Sequence, residues 1–419
     1  MEINVHLGGR PGIDCGGFCE FCFYKKVNFK ELESLNFGCR FCSPNQIGCN
    51  RCREPIERVI NVFKPVLNVL SDIETKIVAQ KLYNPLLDQD FKINISGGAD
   101  VFYYPHLKEL VSILKDSKLP IHLGYTSGKG IKNYKIAEYL ISKGVVEISF
   151  SVFSTDPEMR RKWMNDKTPE ESLKALQIFC EMIDVKASCV VIPGINDQDK
   201  IMETCIALEN LGVKSIEFRR FANYNVQGLI LCDKKSVMEG IKPHSFEEFQ
   251  KIVKKISDEF SFKVVGYPFY DPKNDFPFAI LKRRNRGYLQ ELPKIKADAT
   301  IITSKLAEPF LNKFFTLIDA SHQINIISLE KDIADLITQE DLISINLDYV
   351  QKKVIIPSGA LIHDKLLKSF FNSDGRKRTV IRGPYALTHP YFNDNPYYSE
   401  ELLKFELESF SNLIEIINN

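Results

Sequence analysis

Between residues 3 and 260, apolar strand-like segments alternate with stretches of helical spacing, and this rhythm restricts the fold more than any other feature of the chain. The strand segments are Ile3–Leu7, Phe91–Ile95, Ile121–Tyr125, Val146–Val152, Val185–Ile192 and Ser215–Phe218. Helical spacing runs on from Glu54 through Val59, Phe63, Val66 and Leu67. It returns over Leu107–Lys115, Tyr134–Lys143, Pro169–Met182, Asp197–Leu211 and Ser245–Phe260. Strands separated by helices pair in parallel, because a parallel neighbour is reached only through a crossover. A doubly wound sheet and a partial (β/α)6 barrel both satisfy this α/β pattern. The unusual segments all follow strands: the first cysteines, Ser96-Gly97-Gly98, Ser151 to Asp156, and Pro193-Gly194. Barrels carry their chemistry at the carboxyl ends of strands, so this placement favours the barrel.

Near Tyr270-Asp271-Pro272 the texture changes, with three prolines and the basic run Lys282–Arg286. Residues 271–298 read as a linker with a solvated charged face. A second α/β pattern then begins, with strands at Thr300–Thr303, Ile324–Leu329, Val354–Pro357 and Thr379–Arg382. The expected organisation is a barrel over 1–270, including a cysteine loop at 37–53, and a C-terminal domain over 299–419. Fifty-five basic against 54 acidic residues give a net charge of +1, which lacks the concentrated positive charge of a general nucleic-acid binder. No uncharged run approaches the roughly 18–20 residues of a membrane span, and the start carries no signal-peptide pattern. The expectation is a soluble cytoplasmic protein.

Seven of the 11 cysteines fall within the first 52 residues. Close clustering without an export signal reads as metal ligation. The other four, Cys180, Cys189, Cys205 and Cys232, sit among apolar neighbours and read as small buried hydrophobes. Cys15-x3-Cys19-x2-Cys22 places three thiols on one tight loop. A closed site takes four thiolates, so three ligands on a four-iron cluster leave one iron open to a substrate. Gly16 and Gly17 let the backbone wrap closely there. The second group, Cys39-x2-Cys42-x6-Cys49-x2-Cys52, is a tetrahedral four-thiolate pattern with no vacant position, which points to a structural site. Ligand type leaves zinc, a single iron ion or a cluster open.

The triad, with Phe21 just before its last cysteine and a strand just before the loop, resembles the radical S-adenosylmethionine (SAM) family. The resemblance covers residues 1 to about 265. It implies a 4Fe-4S cluster on Cys15, Cys19 and Cys22. Ser96, Gly97, Gly98 and Asp100 are similar to the motif that holds the methionine amino group, with backbone carbonyls doing the work because the acid stands one position further on. Ser149, Ser151 and Ser154 match ribose-contacting positions, and Ile192 falls in the segment flanking the adenine. Arg160 is expected to pair with the methionine carboxylate, since a guanidinium binds it bidentately.

The triad, the four-cysteine loop and the C-terminal α/β domain together resemble the methanogenesis marker protein 10 family. That resemblance implies a cobalamin-dependent methyltransferase acting on the δ-carbon of an arginine in the α subunit of methyl-coenzyme M reductase. One SAM would yield the deoxyadenosyl radical and a second would remethylate cobalt, with an electron donor as a further partner. The family's four-cysteine loop is associated with an iron ion. No Asp-x-His-x2-Gly motif occurs, so cobalamin is expected to meet apolar side chains from Ile324 to Leu329 on its lower face. Tyr24 is expected either to shield the cluster or to reach its open iron. Asp156 is expected either to grip the substrate guanidinium or to cap a helix before Pro157. Two rival readings are a peptide-modifying radical enzyme with auxiliary clusters in place of cobalamin, and a non-enzymatic iron–sulfur or zinc-ribbon protein.

Overall fold

The computed structural model describes residues 2–27, 61–83, 91–227, 236–268, 270–273, 279–384, 387 and 399–419. The four-cysteine loop and Cys232 lie outside them. The described residues fall into two compact units, one ending at Tyr267 and one running from Pro268 to Asn419, to which residues 224–227 also belong.

The first unit is built on seven parallel strands lying side by side in chain order. They are β1 (Glu2–His6), β2 (Lys92–Ser96), β3 (Ile121–Thr126), β4 (Val145–Ser151), β5 (Asp184–Val191), β6 (Ser215–Arg220) and β7 (Lys263–Tyr267). Parallel strands in simple sequence with helical crossovers make the α/β partial barrel the sequence indicates. The seventh strand is an addition. It is only five residues long and is interrupted by Gly266, which lies against Phe249 and Val253 of the helix Phe246–Glu259, so its strand signal is weak. Of the helix expected from Glu54, residues 54–60 lie outside the described residues, 61–65 are not helical, and a helix spans Val66–Tyr83. Pro65 accepts the amides of Asn68 and Val69 and begins the helix, while Phe63 precedes it and packs edge-on against Tyr104.

Each strand has two unlike faces. Ile3, Ile95, Ile148, Phe150, Ile216 and Phe218 are buried, each contributing about 1.5–3 kcal/mol of transfer free energy. The opposite face is polar. At the amino ends of the strands, Lys92 bridges Glu2 (2.7 Å) and Glu147 (2.5 Å), and Lys186 also pairs with Glu147. The buried His122 imidazole shares a 2.9 Å hydrogen bond with Ser149 Oγ. Glu2, His122 and Glu147 converge closely enough to suit a cation. Two ammonium groups already neutralise both carboxylates, so the group is a salt-bridge network.

The second unit holds a four-stranded parallel sheet of β8 (Ala299–Ser304), β9 (Ile324–Leu329), β10 (Lys353–Ile356) and β11 (Thr379–Arg382), in the order β11-β10-β8-β9. Phe314 stacks on Phe410 in its core at 3.9 Å. The segment expected as a linker is partly packed. Ile280 and Leu281 enter this core, and Glu406 accepts the amides of Ala279 and Ile280 at 2.9 and 2.8 Å. The basic run beyond it is exposed, as its charge dictates. No helix among the described residues is long and apolar enough to cross a membrane.

Candidate active site

The chain leaves β1 into a loop stapled by Arg10, whose backbone and guanidinium N–H groups donate to Asp14 at 2.8–2.9 Å. This pairing holds the Asp14 carboxyl below its ordinary range. Gly16 and Gly17 have φ of 68° and 119°, a region L side chains rarely adopt. A methyl group at Gly16 would overlap the Tyr103 hydroxyl, and one at Gly17 would overlap the Asn165 amide. The three thiols are therefore presented by a backbone pressed tightly against its neighbours.

Amide donors point at those sulfurs. Gly12 N–H and Asp100 N–H each lie 3.3 Å from Cys15 Sγ, and Tyr24 N–H is directed at Cys22 Sγ. Burial pushes all three thiols up, Cys22 to about 12. Lys129 opposes this at each of them; its Nζ donates to Gly17 O at 2.7 Å and lies 3.8 Å from Cys19 Sγ. Desolvated thiols ringed by N–H donors and one ammonium fit a bound metal cluster, because ligation stabilises the thiolate that burial alone disfavours. Cys15, Cys19 and Cys22 are the residues that would hold it.

Behind the loop runs a strut, residues 160–166. Trp163 O accepts Glu20 N–H (2.8 Å), Met164 O lies 3.4 Å from Cys19 Sγ, and Asn165 fills the space beside Gly17. Arg160 anchors the strut. It is completely buried and donates to Asp166 Oδ2 through Nε and Nη2 (3.0 and 2.8 Å), to Val152 O (2.7 Å) and to Ser127 O (2.6 Å). A side chain with no exposed surface cannot touch a ligand, so the expected pairing of Arg160 with a methionine carboxylate is corrected to a structural role.

Asp100 is corrected likewise. Its carboxylate accepts from Phe102 N, Thr126 Oγ1, Ser127 N and Ser127 Oγ at 2.5–2.9 Å, and it is buried. It organises the end of β3 while its own amide faces Cys15. Gly97 and Gly98 dock the cysteine loop: Gly98 N–H donates to Gly8 O (3.0 Å), and a methyl at Gly97 would stand 2.7 Å from that same oxygen. Leu7 N–H donates to Ser96 O at 2.8 Å.

The serines separate. Ser149 lies one turn of the pleat deeper and is engaged with His122, Ser151 ends β4, and the buried Ser154 Oγ accepts from Asp156 N–H at 3.0 Å. Asp156 is exposed and its Oδ1 caps the turn at Glu158 N–H (2.9 Å), the capping alternative of the two expected for it. Phe21 stacks on the buried Phe153 at 4.8 Å, covering the loop from one side. Tyr24 sits on the short helix Phe23–Lys26 with its ring 4.0 Å from that of Phe23. Ile192 is buried, and its amide donates to Asn196 Oδ1 at 2.8 Å. Leu329 ends β9, buried within the second unit.

Two residues escaped the sequence reading. Lys129 stands in Thr126-Ser127-Gly128-Lys129-Gly130, a polar, glycine-flanked strand end of the kind that carries function in such folds. Tyr125 is half exposed near the end of β3, with its hydroxyl within reach of Ser151, Cys19 and Cys22.

Residues 36–205 match the Radical SAM superfamily. The class implies a 4Fe-4S cluster and SAM. The matched stretch begins after Cys22, so the triad rests on its own geometry. No curated protein matches the chain in sequence. Among solved structures it is similar to Streptococcus suis SuiB bound to precursor peptide SuiA, with 16% identity over 62% of this chain and 47% of that one, TM-score 0.38. A radical SAM methyltransferase from Sphaerobacter thermophilus matches with 14% identity over 61% and 63%, TM-score 0.37. TsrM from Kitasatospora setae, a radical SAM methyltransferase with tryptophan bound, matches with 10% identity over 53% and 36%, TM-score 0.31. The chain spans about half the length of SuiB.

Proposed function

We propose that this protein is a cobalamin-dependent radical SAM methyltransferase that methylates the δ-carbon of an arginine in the α subunit of methyl-coenzyme M reductase. The observation that carries the reading is the half-buried three-thiol loop at the carboxyl edge of a sheet of seven parallel strands, with amide hydrogens and Lys129 aimed at its sulfurs. The arginine, the cobalamin and an iron ion on Cys39, Cys42, Cys49 and Cys52 rest on the family resemblance. An unactivated carbon gives up no proton to a side-chain base, so the bound cofactors supply the hydrogen-abstracting radical and the methyl group. The chain's own residues do the rest. The three cysteines hold the cluster, Lys129 offsets its charge, and the Phe21–Phe153 stack keeps water from that side. Leu329 is closed into the core of its unit, so on β9 the half-buried Ile326 and Ile327 are left to offer cobalamin an apolar surface.

Anaerobic incubation with cobalamin, SAM, a reductant and the arginine-containing segment of that α subunit tests the proposal. The expected product is the peptide heavier by one CH2, with the added mass on the arginine side chain. Deoxyadenosine release with an unmodified peptide, at full cobalamin occupancy, overturns the methyltransferase reading and leaves the radical domain standing. Two or more clusters in place of one cluster and one iron ion favour the auxiliary-cluster alternative.

A further inference from the structure

On β6, Ile216 and Phe218 are buried while Glu217 and Arg219 take the opposite, polar face of the sheet. Register sets Glu217 between Ser188 of β5 and Val265 of β7, and Arg219 between Val190 and Tyr267. Arg219 Nε stands 2.6 Å from Glu217 Oε1, and its guanidinium lies 5.5 Å from the centre of the Tyr267 ring. Glu217 Oε1 is shut off from solvent, yet it makes no hydrogen bond of acceptable geometry. The contact is one of charge alone. Its cause is the strand itself: residues two apart on one face project side by side, so Arg219 reaches Glu217 only by folding back and cannot align its planar fork with the carboxylate. The Glu217 side chain is 35% exposed and Arg219 53%, so an incoming donor can reach the carboxylate, and one better aligned on Oε1 gains by replacing Arg219.

We propose that Glu217 binds the guanidinium of the substrate arginine, and that Arg219 occupies that position when substrate is absent. The inference rests on the arginine-peptide reading above and names the residue that recognises its side chain. A guanidinium arriving from the open polar face meets Glu217 end-on and can form two parallel N–H···O bonds, which neither lysine nor neutral citrulline reproduces. Arg219, displaced, settles over the face of Tyr267, where a cation is held by the ring. Nothing in this exchange touches the cysteine loop.

The test is binding, read by fluorescence anisotropy on the full-length protein with the arginine peptide and the same peptide carrying citrulline. Wild type is expected to prefer arginine by about tenfold or more, the scale of a charge-assisted pair. Glu217→Gln is expected to bring the two peptides within about twofold of each other. Arg219→Gln is expected to move the other way and tighten the arginine peptide several-fold, since the internal competitor is gone. A purely structural ion pair predicts equal harm from both substitutions and no change in the arginine–citrulline ratio. If wild type discriminates and Glu217→Gln still does, the assignment of Glu217 is overturned while the function stands. If wild type itself binds both peptides alike, the arginine reading falls, and this inference with it. Should Glu217→Gln fail to fold, unchanged or weaker arginine binding by Arg219→Gln is sufficient to refute the exchange.

Discussion

Replacing Arg160 with leucine separates a structural arginine from a ligand-binding one. Arg160 and Asp166 are both sealed from solvent, and four hydrogen bonds radiate from the guanidinium. Arg160→Leu leaves the Asp166 carboxylate with the Thr168 amide (3.2 Å) and Ser172 hydroxyl (3.3 Å) as neutral partners, and strips the donors from Val152 O and Ser127 O. Removing one side of a buried pair costs about 3–5 kcal/mol, because the charge left behind is uncompensated. With a urea dependence of about 2–3 kcal/mol per molar for a unit of this size, the midpoint should fall by roughly 1–2.5 M. The chain offers its own reporter. Its single tryptophan is Trp163, inside the same strut, and its emission follows the unfolding of this unit. Arg160→Leu with Asp166→Leu should recover much of the loss, since a matched apolar pair carries no orphan charge. SAM binding by calorimetry supplies the contrast. A variant that unfolds at the wild-type urea concentration but binds SAM more weakly would refute the structural role and restore the carboxylate contact.

Four further outcomes follow from the same geometry. Cys19→Ala should abolish both cluster loading, read as iron content, and deoxyadenosine formation, because two thiolates do not retain the cluster. Gly17→Ala should lower cluster loading sharply, and adding Asn165→Gly should restore only part of it: the overlap with the amide is relieved, but the backbone φ of 119° stays unsuited to alanine. Glu2 is held well below the ordinary carboxylate range by the His122 imidazole at 3.7 Å and the Lys92 ammonium. Its contribution to stability is therefore present above the unfolded pKa of about 4.3 and is lost as pH falls below it, so Glu2→Gln should flatten the acid limb of an unfolding-versus-pH curve. Tyr24→Phe should alter the cluster's absorption spectrum only when SAM is absent; identical spectra in both states dispose of the phenol as a ligand.

The alternation of strands and helices was legible because a parallel strand covered by helices is apolar on a fixed period, and its crossover helix obeys a second period. Six strands announced themselves this way. The seventh did not, since five residues containing a glycine carry too little pattern. The triad was legible because thiol spacing is covalent information, fixed before folding. Arg160 and Asp100 were misread for the opposite reason. An arginine shortly after a strand looks the same in sequence whether it faces a ligand or a carboxylate six residues on, and only folding shows Asp166, Val152 O and Ser127 O closing around it. Asp100 likewise acquires its meaning from Thr126 and Ser127, hydroxyl residues at the end of a different strand. The packed part of the supposed linker was obscured by the basic run that follows Leu281, although Ala279-Ile280-Leu281 is itself apolar.

The polar face of the sheet bears on which kind of protein this is. Closed barrels fill their interior with branched aliphatic side chains, in layers that exclude water. Here the corresponding positions include Asn4, Asn94, Ser149, Ser188, Glu217 and Arg219, set beside one another by the strand register. Amides, hydroxyls and charges on this scale cannot form a dry core, because each unsatisfied group costs roughly 1–3 kcal/mol. Such a face is stable when it is wet or when it meets a polar ligand. A carrier that merely holds a cluster needs the cysteine loop and its supports, Lys129 and the 160–166 strut, and gains nothing from five strands dressed with hydrogen-bonding groups. An enzyme that must orient a polar substrate beside that cluster needs them, since orientation by fixed donors and acceptors is what makes a bound carbon the one that reacts.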